Sequence, residues 1–326
     1  MAGKRPETDR PGAGGRAAVE RVVVVRRRTE LEELVLRFGT PGQARFYLEH
    51  AGQDFEGVRR RHERHQRALD AVLGLVPQGL RVQVVERELL PEIHFLETDL
   101  VVTVGPDGLV VNTAKYLDGQ PILPVNPDPE HIDGVLLPFT PERLAGAMTR
   151  FLEGRARLAA VSLAEARLDD GQTLLAFNDL FVGARSHVTA RYEIRHGGRT
   201  ETQASSGVIV STGAGSTGWL RSVYAGAAGL LAALGADPGP LAAMEPLPWD
   251  TSRLVFAVRE PFPSKTTGTG IVHGTITADE PLELVSHMAE EGVVFSDGIE
   301  RDYLPFNAGS RLTIGLAGRK AHLVVG

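Results

Sequence analysis

The sequence predicts an α/β domain built on a parallel sheet, followed by a mainly β domain. Three observations predict it. Between Val22 and Asn126 short β-rich runs alternate with helical segments, the pattern of βαβ units. After Pro141 the texture changes to one helical segment and then a close series of β runs. The 326 residues are enough for about two domains of ordinary size, so one undivided core is not expected.

Taken in order, residues 1–20, "MAGKRPETDRPGAGGRAAVE", are rich in Gly, Pro, Ala and charge and hold no apolar stretch of the kind a secretory signal needs. A flexible tail is expected there. "VVVV" (22–25) reads as a buried strand. A long helical region follows, in which Thr29 and Glu32 have capping-box spacing and residues 58–75 carry a basic face ahead of "ALDAVLGLV". "RVQVVE" (81–86), "LVVTV" (100–104) and "PILPVN" (121–126) complete the strands of an α/β domain expected over 21–140 and completed by 310–326. The residues after Val104 have the apolar and small side chains to continue as a helix.

"PERLAGAMTRFLEG" is one helix, and the β runs then begin with "RLAAVSL", "TLLAFNDLFVG" and "HVTARYEIR". In the last of these Val188, Ala190, Tyr192 and Ile194 alternate with polar residues, as in an antiparallel strand with one wet face. "GVIVST", "RLVFAV", "GIVHGTIT", "LELVS", "GVVFSDG" and "RLTIGL" extend the series, and the mainly β domain is expected over 141–309. The Pro-rich "ADPGPLAAMEPLPWD" (236–250) reads as an ordered loop.

Composition narrows the function. A net charge of −6 argues against a nucleic-acid protein that relies on a general basic field. The chain has no cysteine, so thiol nucleophiles, thiolate metal sites and disulfides are excluded, and a reducing, cytoplasmic location is expected. No apolar run reaches the 18 or so residues of a membrane span, so no membrane is expected as a partner.

Three stretches carry chemistry. The first is Gly105-Pro106-Asp107-Gly108, at the carboxyl end of a strand. Open α/β sheets bind ligands there, because loop amides and the next helix's N-terminus point into one crevice. Gly105 and Gly108 let a phosphate approach the main chain, and Asp107 could accept a hydroxyl proton or hold Mg²⁺. An ordinary Pro-Asp-Gly turn accounts for the same residues. The second, "SSGVIVSTGAGSTGW" (205–219), matches G-x-G-x-x-G literally, but no second strand ending in an acidic residue follows it. It reads as a Gly/Ser/Thr loop whose amides and hydroxyls suit a base or ribose, or as a structural turn. The third is "AFNDLFVG", where Asn178 and Asp179 interrupt an apolar run. Adjacent strand residues face opposite ways, so one of the pair meets the core unless a site, turn or strand end is there. "RRRHERHQR" (59–67) lacks the H-E-x-x-H spacing of zinc proteases and reads as a solvated helix face or a meeting place for donor phosphates.

In order and spacing these stretches resemble the NAD kinase family, in whose pattern a G-G-D-G-T turn is followed by an Asn-Glu/Asp pair and then a G-S-T loop. "PVNPDPEHIDGVL" and "RHERHQRALDAVL" are similar to segments of its mitochondrial-type branch. Pro106 stands for the second motif glycine, Leu109 for the threonine, and Gly218-Trp219 for Ala-Tyr. The resemblance implies a Rossmann-like nucleotide domain and a β-sandwich-like substrate domain. It also implies phosphoryl transfer from ATP or polyphosphate, with Mg²⁺, to the 2′-hydroxyl of NAD's adenosine ribose. Asp107 would be the catalytic carboxylate, and Gly105, Gly108, Asn126, Asn178, Asp179, Ser216 and Thr217 would bind the nucleotides in a homodimer or homotetramer. A catalytically weak nucleotide-binding homologue, or a kinase for a sugar or lipid acceptor, fits the same motifs.

Overall fold

The computed structural model describes residues 18–326, so the expected tail lies outside it except for 18–20. The chain divides into two compact units. The first runs to Ala159 and includes Ala321–Gly326; the second is Ala160–Lys320.

In the first unit β1 (Arg21–Arg26) is the central strand, and its four valines are wholly buried. Three helices follow where one long helical region was expected: α1 (Glu30–Phe38), α2 (Pro41–His50) and α3 (Phe55–Leu75). Local chemistry makes the breaks. The Thr29 hydroxyl accepts from Glu32 N and the Glu32 carboxylate accepts from Thr29 N at 2.8 Å, closing the capping box. Gly39, at φ +89°, ends α1, and Thr40-Pro41 starts α2. The basic face of α3 is largely neutralised at home: Arg59 meets Glu56 and Glu63, Arg60 meets Asp54, Arg61 meets Glu30 and Arg64 meets Asp128.

β2 (Arg81–Glu86), β3 (Asp99–Val104), α4 (Asp107–Ala114) and β4 (Pro121–Val125) complete the α/β pattern. β1 pairs in parallel with both β2 and β3, β3 with β4, and β4 with His322–Leu323. Strand order therefore reverses at β1, with β2 on one side and β3 on the other. This switch point leaves a crevice beyond the carboxyl ends of β1 and β3. α5 (Pro141–Leu152) puts Leu144, Ala147, Met148 and Phe151 into the core beside Val22, Val24, Val102 and Val125. Each large side chain so buried contributes about 1.5–3 kcal/mol. That packing places α5 with the first unit, beyond the boundary expected at 140, while of the C-terminal segment only 321–326 belongs there.

The second unit is a sandwich of two antiparallel sheets. Its strands are β5 (Leu158–Leu168), β6 (Thr173–Ala176), β7 (Asp179–Ala184), β8 (Ala190–His196), β9 (Arg199–Ser205) and β10 (Val208–Ser211). They continue with β11 (Leu254–Val258), β12 (His273–Ile276), β13 (Leu282–Ser286), β14 (Gly292–Ser296), β15 (Ile299–Pro305) and β16 (Arg311–Val324). One sheet has the order β12-β11-β10-β7-β14-β15; the other joins β9, β8, β13 and the start of β16, with β5 and β6 alongside. Tyr192, Ile194, Leu282 and Leu284 of the latter share one core with Leu180, Val182, Val210 and Phe256 of the former. The run expected as one strand over 173–183 is two, interrupted at Phe177-Asn178. The alternation of "HVTARYEIR" holds from Ala190 onward, whereas Val188 precedes the strand and is exposed. α6 (Trp219–Ala233) covers Val255 and Ala257 with Leu220 and Tyr224.

Candidate functional site

The predicted site residues fall into two groups, one in each unit. In the first, the turn after β3 leads directly into α4. Gly105 is required by close approach: a Cβ there would lie 2.8 Å from Leu109 Cδ2. Leu109 is 1% exposed, so the side chain that stands where the family motif has a hydroxyl is packed beneath the turn. Pro106 occupies the N-cap at φ −73° with no side-chain cap, and its carbonyl accepts from Leu109 N at 2.8 Å. The amides of Asp107 and Gly108 open the helix, where helical geometry supplies no acceptor and the helix dipole favours an anion.

Asp107 is half-buried. Its Oδ1 accepts from Leu136 N at 2.7 Å, while Oδ2 has no hydrogen bond among the described residues. Asn126 builds the loop that delivers that amide. Its Nδ2 donates to Ile132 O at 3.0 Å, its Oδ1 accepts from Asp128 N at 3.0 Å, and its main-chain N donates to Phe139 O at 2.8 Å. Asn126, expected as a nucleotide ligand, is thus engaged within the 126–139 loop and acts on the site through Leu136.

A cavity of about 450 Å³ adjoins the turn, lined by Arg27, Arg28, Thr29, His62, Gly105 and Pro106 among others. His65 also faces it. Burial is the main cause that pushes this imidazole down to about 4, with Arg26 adding to it, so His65 is neutral at physiological pH. Among the described residues the group with metal-ligand spacing is Asp128, Glu130 and His131, and there Asp128 already pairs with Arg64 at 2.9 Å and with His131 at 3.0 Å.

In the second unit the group lies at one end of the six-stranded sheet, where β7 begins and β10 and β14 end. Asp179 and Ser211 are register partners, and Ser211 Oγ donates to Asp179 Oδ1 at 2.6 Å. Thr212 holds the preceding peptides: its hydroxyl donates to Phe177 O at 2.5 Å and its amide to Asn178 O at 2.9 Å. Gly215 is packed so closely that a Cβ would overlap Asn178 O. From the other side Asp297 accepts from the amides of Phe177 at 3.0 Å, Asn178 at 2.7 Å and Asp179 at 3.2 Å. The Asn178 side chain is half-buried and makes no hydrogen bond among the described residues. Burial pushes Asp179 up to about 7, the Ser211 bond opposes this, and the charge of Asp297 adds to it.

The G-S-T loop divides in role. Ser216 is buried, donates to Gly213 O at 2.7 Å and accepts from Leu247 N at 3.0 Å, so its hydroxyl pins the 236–250 segment. Thr217 is exposed. Leu136, Ser211, Thr212 and Asp297 were not anticipated. The signal for Asp297 was its Asp-Gly dipeptide after a strand, a turn sequence in which Asp tolerates the φ of +54° found here. Nothing local links it to residues 118–120 positions earlier.

No model of a known protein family matches the chain. An alignment of 258 residues with NAD kinase 2, mitochondrial, of Rattus norvegicus is 29% identical and covers 64% of this chain. The Homo sapiens protein of the same name is 28% identical over 263 residues, again covering 64% of this chain. The matches span only 61% and 60% of those relatives' lengths. Among solved structures, yeast NADH kinase complexed with NADH superposes with a TM-score of 0.58 at 15% identity, covering 95% of this chain and 84% of that one. An NAD kinase from Archaeoglobus fulgidus in complex with ATP gives 0.53 at 20% identity, covering 94% and 93%. At such identities the structures speak for the fold alone, an α/β unit followed by a β-sandwich. The chain is thus similar to NAD kinases in sequence over about two thirds of its length and in fold over nearly all of it.

Proposed function

We propose that the chain is an NAD kinase-like phosphotransferase, moving a phosphoryl group from ATP or polyphosphate to the 2′-hydroxyl of NAD's adenosine ribose to give NADP. The observation that carries this reading is Asp107. One of its carboxylate oxygens is fixed by Leu136 N and the other has no hydrogen bond among the described residues, at the start of a helix whose first amides have no helical acceptor. In-line attack forms a bond from the hydroxyl oxygen to the transferred phosphorus as the bond to the leaving phosphate oxygen breaks. Asp107 Oδ2 orients the hydroxyl and takes its proton. The amides of Asp107 and Gly108 face developing charge on the phosphate.

Mg²⁺ usually keeps several waters and takes one or two carboxylates beside substrate phosphates, so it needs no dedicated protein cage. The residues fit that mode, with Asp107 as the neighbouring carboxylate and the ion offsetting phosphate charge. Asn178, whose side-chain amide has no hydrogen bond among the described residues, Asp179 and exposed Thr217 supply donors and acceptors suited to ribose hydroxyls and a carboxamide. A homodimer or homotetramer in a reducing, cytoplasmic compartment belongs to the same reading.

The test is purified protein with NAD, Mg²⁺ and either ATP or polyphosphate, NADP being detected by a dehydrogenase specific for it. NADP formation that is lost in Asp107→Asn supports the proposal. Absence of NADP with every donor overturns it.

A further inference from the structure

Asp297 does more than close a turn. It lies between β14 and β15 in the left-handed region at φ +54°, a conformation that costs a non-glycine residue energy and persists only where its surroundings demand it. Three consecutive amides converge on its carboxylate, and its own amide donates back to Asp179 O at 2.9 Å. Those amides belong to the corner at which β6 passes into β7, and so to the two residues on which the acceptor reading rests. We infer that Asp297 is a positioning residue of the acceptor site, fixing the peptide from which Asn178 and Asp179 project. This rests on the reading of that corner as the NAD-binding group.

A corner that needed only hydrogen bonds would be served by a neutral acceptor. A second carboxylate beside Asp179 carries a like-charge cost, and it strengthens the hold of Asp179 on a proton. Among the described residues around Asp179, β10 offers the Ser211 hydroxyl, β14 is Gly-Val-Val-Phe-Ser, residues 212–217 are Thr, Gly, Ala, Gly, Ser and Thr, and β6 is Thr-Leu-Leu-Ala. Asp297 thus fixes the peptide from which Asn178 projects and adds to the burial that favours a proton on Asp179. With a proton, Asp179 can donate to a ribose oxygen; without one it can only accept.

The test uses the full chain and NAD, with calorimetry across pH 5.5–8.5. Asp297→Asn should weaken NAD binding about tenfold while leaving the KM for ATP within twofold. It should also move the pH midpoint of NAD binding toward acid, because the neighbouring negative charge is gone. The double variant Asp297→Asn with Asn178→Ala should lose less NAD affinity than the two single losses combined, since part of the Asp297 effect passes through Asn178. Asp297→Gly, which relieves the positive φ while removing the carboxylate, serves if the asparagine variant folds poorly, and should show the same NAD loss. Wild-type NAD affinity and pH midpoint in the variants, with only a lowered melting temperature, would overturn the inference. Additive losses in the double variant would do so too. Wild-type protein that binds no NAD overturns the acceptor reading itself, and with it this role for Asp297.

Discussion

Replacing Asp107 by asparagine separates chemistry from structure at the turn. The carboxylate makes one protein hydrogen bond, Leu136 N to Oδ1 at 2.7 Å, and asparagine keeps an oxygen there. What is lost is the negative charge and the proton-accepting power of the other oxygen. The structural cost is small: an acidic residue in the first turn of a helix is worth about 0.3–1 kcal/mol, and weakening a charged hydrogen bond to a neutral one about another 1 kcal/mol. For a unit of this size that lowers Tm by about 3–8 °C. The catalytic cost is larger, because general-base assistance contributes about 10²–10⁴-fold. Asp107→Asn should therefore lower kcat by at least about a hundredfold with the KM for NAD changed less than threefold. Asp107→Ala should lose the same turnover and in addition free the 126–139 loop, seen as faster amide exchange at Leu136. Turnover in the asparagine variant within about fivefold of wild type would refute the assignment of the proton acceptor.

Four further substitutions test the neighbouring assignments. Asn178→Ala should raise the KM for NAD about tenfold, the loss of one or so hydrogen bonds at about 1–1.5 kcal/mol, with Tm unchanged because the side chain has no protein partner; wild-type affinity by calorimetry would make the residue structural. Ser216→Ala should instead cost about 1–3 kcal/mol in urea unfolding by leaving Leu247 N unpaired, with NAD affinity little altered. Pro106→Gly should improve donor affinity by restoring an amide, up to about tenfold, whereas Leu109→Thr should destabilise by about 2–3 kcal/mol without improving turnover, since its side chain is buried beneath Gly105. An active, stable Leu109→Thr variant would show that the buried placement is not what matters.

What was legible in the sequence was what local chemistry determines. The four valines of β1, the Thr29–Glu32 box and the glycine turn after β3 each announce themselves within a few residues. α6 did not, because it is built from Ala, Gly and Leu and buries chiefly Leu220 and Tyr224, too narrow a stripe to read as amphipathic. β9 and β15, "RTETQAS" and "IERDYLP", lie at sheet edges, where polar side chains replace the apolar run that marks a central strand. At the corner before β7, residue type singled out Asn178 and Asp179 but not their support. Asp297 reaches them from about 120 positions away, and only the pairing of β7 with β14 puts it there. Ser216 misled for the same reason: a hydroxyl in a G-S-T loop serves a ligand or a core equally well, and Leu247, far along the chain, decides it.

Asp179 and His65, one in each unit, make opposite contributions to the response to pH, and burial of His273, which lowers it, works against Asp179 in the second unit. Asp179 is raised to about 7, by burial first and Asp297 second. Between about pH 4 and 7 the unfolded chain has lost this proton while the folded one keeps it, so the second unit becomes less stable as pH rises through that window. The full shift corresponds to on the order of 4 kcal/mol, an upper bound because the neighbouring carboxylate shares the titration. His65 behaves in the reverse sense. Burial lowers it to about 4, so between about pH 4 and 6.5 the unfolded chain binds a proton that the folded one excludes, and the first unit gains stability as pH rises. Both tryptophans, Trp219 and Trp249, belong to the second unit, so fluorescence reports that unit alone. Its urea midpoint should fall from pH 4.5 to pH 7 and flatten in Asp179→Asn, which has no proton to lose. Protection of the β1 amides against exchange should rise over pH 4.5–6.5, after correction for intrinsic rates, and flatten in His65→Gln. A fluorescence midpoint that rises with pH in the wild type, or that keeps its slope in Asp179→Asn, would mean that Asp179 enters the fold as an ordinary ionised carboxylate. The acceptor corner would then hold two full negative charges, and of the adjacent pair only Asn178 would remain to donate a hydrogen bond to a ribose oxygen.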